Sequence, residues 1–131
     1  MKLAMPVADS RVSAALDFAR QLLLVEYEHG REVRRATIAL QEQIPMNRAR
    51  KLARLGVDVL ICGAISRPLS EHLEAAGIQV IPFVSGTSDE VLLAYRTNSL
   101  DSVHFLMPGN TVEERREWMT RRSAVQARAV R

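Results

Sequence analysis

Among 131 residues the chain holds a single cysteine, Cys62. One thiol excludes an internal disulfide and any multi-cysteine metal site, and it fits a reducing cytoplasm. Long apolar runs are also missing. The longest uncharged stretch, residues 75–88, spans 14 residues and contains Gly77, Pro82 and Gly86. A membrane helix needs roughly 20 apolar residues, so no segment is expected to span a bilayer. Residues 1–25 do not read as a signal peptide, because Asp9, Arg11, Asp17 and Arg20 interrupt any apolar core. The motifs GxGxxG, GxxxxGK(S/T) and GxSxG are all absent. Nucleotide binding and serine-hydrolase chemistry therefore lack a signature.

What is present is close to the average of a globular protein: 47% apolar and 25% charged residues. The length suits one domain with a core of its own. Residues 1–110 carry 12 basic and 12 acidic side chains, whereas residues 111–131 carry six arginines and three glutamates. The net charge of +3 thus resides in the C-terminal segment. A neutral body is a poor footprint for nucleic acid, which is disfavoured as a partner; the Arg-rich tail keeps it as the weakest reading.

Apolar alternation marks residues 2–7 as a first strand, with Leu3, Met5 and Val7 on one face. Residues 21–28 and 31–39 predict two further strands, with Val33 pointing inward. Between them, His29-Gly30 suits a tight antiparallel turn. Pro45 opens a helix with Ala49, Leu52, Ala53 and Leu55 on its apolar side, ended by Gly56. Residues 57–61 form a strand. Ser66 or Arg67 then caps a helix that buries Leu69 and Leu73. Residues 78–83 form another strand, and Thr87 with Glu90 makes a capping box. Residues 102–107 read as a short extended segment. A last helix runs from Val112 to about Arg128, packing through Trp118, Met119 and Val125 with its arginines outside. Strand–helix–strand order from residue 57 makes a right-handed parallel crossover. With the hairpin it predicts an α/β mixed sheet of about five strands, helices packed on it, and a C-terminal helix.

The segments MKLAMPV, RVS, LLLVEYEHG, LGVDVLICGAIS and AAGIQVIPFVSGTSDEVLLAY, taken in order, resemble the nitrogenase iron–molybdenum cofactor biosynthesis family. This family comprises NifX-like carriers and the C-terminal domain of NifB. The resemblance covers about residues 1–100 and implies a ribonuclease H-like fold and a cofactor-carrier domain. Residues 101–131 then form an extension with a basic helix. The family pattern RVS-x-HFG meets Arg11, Val12, Ser13, Ala14, Ala15, Leu16 and Asp17 here. Ala15 stands where the family has a histidine, and a methyl group cannot ligate a metal. GGIG is replaced by Gly63, Ala64, Ile65 and Ser66.

Cys62 falls at the C-terminal end of a predicted parallel strand, where open α/β sheets form their ligand crevice. A thiolate there suits iron, alone or at the edge of a cluster. The competing reading is a small buried hydrophobe. A lone cysteine cannot hold a four-ligand cluster, so it would anchor cargo shared with a partner or second subunit. Gly63 and Gly86 each lead toward a helix start, Ser66 and Thr87, as in an anion loop or an ordinary turn. The expected binding set is Cys62, Gly63, Ser66, Gly86 and Thr87, with Cys62 as the metal ligand. His29, His72 and His104 form no close pair. Asp9 and Asp58 find no third carboxylate for two-metal nuclease chemistry. The sequence therefore predicts a cytoplasmic, non-catalytic binding protein for an iron–sulfur or iron–molybdenum cluster. Its expected partners are a cluster-assembly or acceptor protein and a second copy of the chain in a homodimer. The rival is a cofactor-free interaction or regulatory module that works through the C-terminal helix.

Overall fold

The computed structural model describes the backbone of residues 1–130 and the side chains of residues 1–121. Six strands form one mixed sheet: β1 (Lys2–Ala8), β2 (Arg11–Val12), β3 (Gln21–Glu28), β4 (Arg31–Ala39), β5 (Val59–Ile61) and β6 (Gln79–Ile81). Their order is β4–β3–β1–β5–β6, with β2 paired to the end of β1. β1 is central: it runs antiparallel to β3 and parallel to β5, and β5 runs parallel to β6. This is the expected mixed sheet, with five main strands. Pro6 is tolerated in a central strand because β5 pairs only with Leu3 and Ala4, and Pro6 lies past that ladder. Across the hairpin, His29 (φ 52°) and Gly30 (φ 76°) both adopt the left-handed region. That geometry matches the right-handed twist of the flanking strands.

Four helices cover the sheet: α1 (Pro45–Arg54), α2 (Arg67–Ala75), α3 (Ser88–Arg96) and α4 (Val112–Val130). Ser66 accepts the Leu69 N–H and Thr87 accepts the Glu90 N–H, so both predicted caps form. Alternation in the strands splits the core in two. Ala4, Leu22 and Leu60 face Leu52 of α1 and Leu69 and Leu73 of α2. Leu3, Met5, Val25 and Ile61 face Val91, Leu92 and Ala94 of α3. Each fully enclosed leucine contributes about 1.5–3 kcal/mol. Trp118 of α4 packs against the first cluster and Met119 against the second. The helix thus lies along the β6 side of the sheet, covering an edge that would otherwise be open to pairing.

Some local expectations change. Val33 is 52% exposed, because β4 is an edge strand that the helices leave largely uncovered. Ala53 is exposed on α1. Residues 102–107 are not a strand: Val103–Phe105 form a 3-10 turn, started by Ser102 Oγ accepting the His104 N–H. A single bridge, Val84 to Leu106, is all that remains of the expected pairing. The side chain of Val125 lies outside the described residues. The expectation of arginines outside α4 fails at Arg115, which is 1% exposed.

Candidate functional site

β1, β5 and β6 end on the same side of the sheet, and the loops that follow them interlock there. Gly63 shows how tightly. A Cβ at this position would lie 2.6 Å from both the Ser13 and Ala14 carbonyl oxygens. The Ala64 N–H donates to Ala14 O (2.9 Å), and the Leu16 N–H donates to Ala64 O (2.9 Å). The segment after β2 is therefore laid directly across the end of β5, a crossing that excludes any side chain at residue 63. Gly86 (φ 140°) accepts the Val12 N–H at 3.0 Å, and Arg11 bridges to Thr87. The structure brings Cys62, Gly63 and Ser66 together around the first crossing. Gly86 and Thr87 gather around the second.

Cys62 lies beneath these crossings. It is 0% exposed, packed in the cluster that contains Leu16, Leu60 and Leu69. Burial pushes the thiol well above its usual range; the Asp17 charge adds to this and the Arg115 charge opposes it. Ser66 is already occupied. Asp17 accepts its backbone N–H at 2.8 Å and also its hydroxyl proton. The chain's own carboxylate thus sits at the start of α2, the place an external anion would take. Thr87 lines an open cavity of about 770 Å³ together with Asp9, Arg11, Arg35 and Asp89. Cys62 is not among the residues lining that cavity.

Two buried arginines escaped the sequence reading. Arg48 of α1 donates Nη1 to Leu16 O (3.1 Å) and Ala19 O (2.9 Å), fixing the 3-10 turn Leu16–Phe18. Arg115 of α4 donates to four carbonyls: Pro82 (2.9 Å), Leu100 (2.8 Å), Phe83 (3.0 Å) and Phe105 (3.1 Å). Burial lowers the pKa of both guanidinium groups. Phe83, whose carbonyl Arg115 holds, is strained, a bulky side chain at φ 63°. Its N–H donates to Gly63 O, its carbonyl accepts Met107 N–H and Arg115 Nη2, and its ring meets Trp118 edge-on at 6.4 Å. The spacing 115, 118, 119 places Arg115 on the same helix face as Trp118 and Met119. That was the available signal.

The histidines stay apart. His29 sits in the β3–β4 turn, and His72 is half-buried on α2. The His104 ring rests against Phe105. Among the described residues no group of three or more His, Cys, Asp or Glu could hold a metal ion. As placed, the binding set does not fit direct ligation of a cluster. The only thiol is enclosed, protonated and walled by leucines, and Ala15 offers no donor.

The fold and this sheet edge define the class. The family model described as dinitrogenase iron-molybdenum cofactor matches residues 1–98, and the chain belongs to this family. Three solved structures share the fold. A candidate dinitrogenase from Methanocaldococcus jannaschii is 16% identical with a TM-score of 0.63, covering 76% of this chain and 90% of its own. A candidate NifB protein from Thermotoga is 24% identical with a TM-score of 0.61, covering 82% of this chain and 98% of its own. The apo form of the orange protein from Desulfovibrio gigas is 19% identical with a TM-score of 0.63, covering 75% and 88%. Among curated proteins no relative matches the chain. Within the described residues no helix is long and apolar enough to cross a membrane.

Proposed function

We infer that this protein is a non-catalytic member of its family that takes an iron–sulfur or iron–molybdenum cluster as cargo at the C-terminal edge of the sheet. Membership over residues 1–98 is the observation that carries this reading. The cargo would be shared between Cys62, flanked by Gly63, Ser66, Gly86 and Thr87, and a surface of an assembly or acceptor protein or of a second copy in a homodimer. Residues 1–100 act as the carrier domain and 101–131 as its extension, in the cytoplasm. Because Cys62 lies under the 13–17 segment, loading requires that segment to lift, and the resting protein holds its thiol closed.

Anaerobic incubation with iron and sulfide, read by visible absorption and metal analysis, tests this reading. Wild-type protein should acquire a cluster that Cys62→Ala loses, and light scattering should report a dimer. No cluster on the wild type would refute the carrier reading. Equal loading of both proteins would refute Cys62 as the anchor. A second reading, an interaction module using α4, is favoured by one observation: Arg115 and Trp118 lie beyond the family match yet are built into the sheet edge. That module would bind a partner protein with no metal present.

A further inference from the structure

A second cavity, of about 880 Å³, is lined in part by Asp17. Its walls come from the 3-10 turn, the end of β4 and α1, and include Phe18, Arg20, Leu40, Gln41 and Arg48. Arg48 is 4% exposed. Only its Nη1 is committed, to the carbonyls of Leu16 and Ala19. Nε is buried without a partner, and Nη2 makes no hydrogen bond to any described residue. The guanidinium makes no direct ion pair with a described residue. Asp17 and Glu42 are the acidic groups that act on it. Asp17, hydrogen-bonded to the neutral Ser66, lines the same cavity, and Glu42 pairs with Lys51 at 3.2 Å. A buried donor left without a partner is costly and is normally hydrogen-bonded. At the rim Phe18 is 84% exposed, and the Arg20 side chain makes no hydrogen bond or ion pair with any described residue.

We propose that this cavity is a binding site for a small organic oxyanion, a carboxylate or phosphate bearing an aromatic or apolar body. Arg48 and Arg20 take the anionic group, and Phe18 and Leu40 contact the apolar body. Arg48 Nη2 and the Arg20 guanidinium offer charged donors to an oxyanion, and the exposed Phe18 ring gives a stacking surface. The site does not rest on the cluster reading, and neither Cys62 nor iron takes part in it.

Calorimetric titration of the full-length protein with phenyl phosphate, benzoate and inorganic phosphate tests the proposal. Phenyl phosphate or benzoate should bind, and the tighter of the two identifies the anionic group. Arg48→Met should weaken binding by about tenfold or more. Phe18→Ala should weaken the aryl probe by roughly threefold while leaving inorganic phosphate unchanged. Arg20→Ala should weaken all three probes. Phe18 and Arg20 are exposed, so those two variants decide the matter if Arg48→Met fails to fold. Absence of binding by every probe overturns the proposal, as does wild-type affinity in Phe18→Ala and Arg20→Ala together.

Discussion

Replacing Arg115 by methionine tests whether the last helix is integral to the sheet edge or merely lies on it. Methionine keeps much of the volume and removes every donor. Of the four carbonyls that Arg115 holds, Phe83 O keeps the Met107 N–H and Phe105 O keeps the Ser85 N–H. Pro82 O and Leu100 O lose the guanidinium as donor. Each buried carbonyl left bare costs about 1–3 kcal/mol, whereas removing a buried charge returns part of its desolvation penalty. The net loss should be about 3 kcal/mol. For a chain of this size that lowers Tm by roughly 10 °C. Urea unfolding should show a lower midpoint at unchanged m, which marks lost stability rather than a changed unfolded state. A second readout follows from geometry. Phe83 N–H is tied to Gly63 O, beside Cys62, so loosening residues 82–83 should speed the reaction of Cys62 with a thiol reagent. Arg115→Lys should recover only part of the loss, since one ammonium cannot span the four carbonyls. A loss under about 1 kcal/mol in Arg115→Met, with Cys62 still unreactive, would refute the reasoning.

Two further outcomes are expected. Gly63→Ala places a Cβ within 2.6 Å of two backbone oxygens, so the 13–14 crossing must shift. A loss of about 2–4 kcal/mol in urea unfolding is expected, together with faster thiol labelling; an unperturbed variant would show that the crossing is looser than described. Cys62 also makes stability pH-dependent. Its folded pKa is raised by burial, so above the unfolded thiol value near 8.5 the unfolded state releases a proton that the folded state keeps. Its contribution is fully present below that value and is lost as pH rises toward the folded value, at about 1.4 kcal/mol per unit. The buried Tyr27 and the half-buried Tyr95 act in the same direction, so the quantity to measure is the difference in slope between wild type and Cys62→Ala from pH 8 to 10. Equal slopes would mean that the thiol ionises in the folded protein.

Much of the fold could be read from local chemistry, because the chain states its turns and caps plainly. His29-Gly30 closes the hairpin, and Ser66 and Thr87 cap the helices they precede. Gly56 and Gly77 stop helices in the left-handed conformation that glycine enters freely. What could not be read was position within the sheet. Val33 alternates like an inward residue, but inwardness needs a layer above it, and an edge strand has none over most of its length. Residues 102–107 have the composition of a strand and lose that choice to Ser102, whose hydroxyl captures the His104 N–H.

The site was legible in outline and misread in its charges. Sequence reading finds a cysteine and two glycines at strand ends and leaves open whether they form a crevice or a seam. The answer depends on Ser13, Ala14 and Asp17, which lie some fifty residues away and supply the oxygens that close it. An arginine in a helix reads as surface because burying it without a carboxylate is costly. Arg48 and Arg115 evade that rule through carbonyls, those of the 3-10 segment before β3 for Arg48 and those after β6 and α3 for Arg115. The two still differ in a way that orders their roles. Arg115 commits Nε, Nη1 and Nη2, so every one of its nitrogens is hydrogen-bonded to the loops it holds. Arg48 commits Nη1 alone and keeps two nitrogens unspent beside an open cavity. On that difference, Arg115 belongs to the scaffold of the sheet edge, and Arg48 is the residue left with binding capacity for something outside the chain.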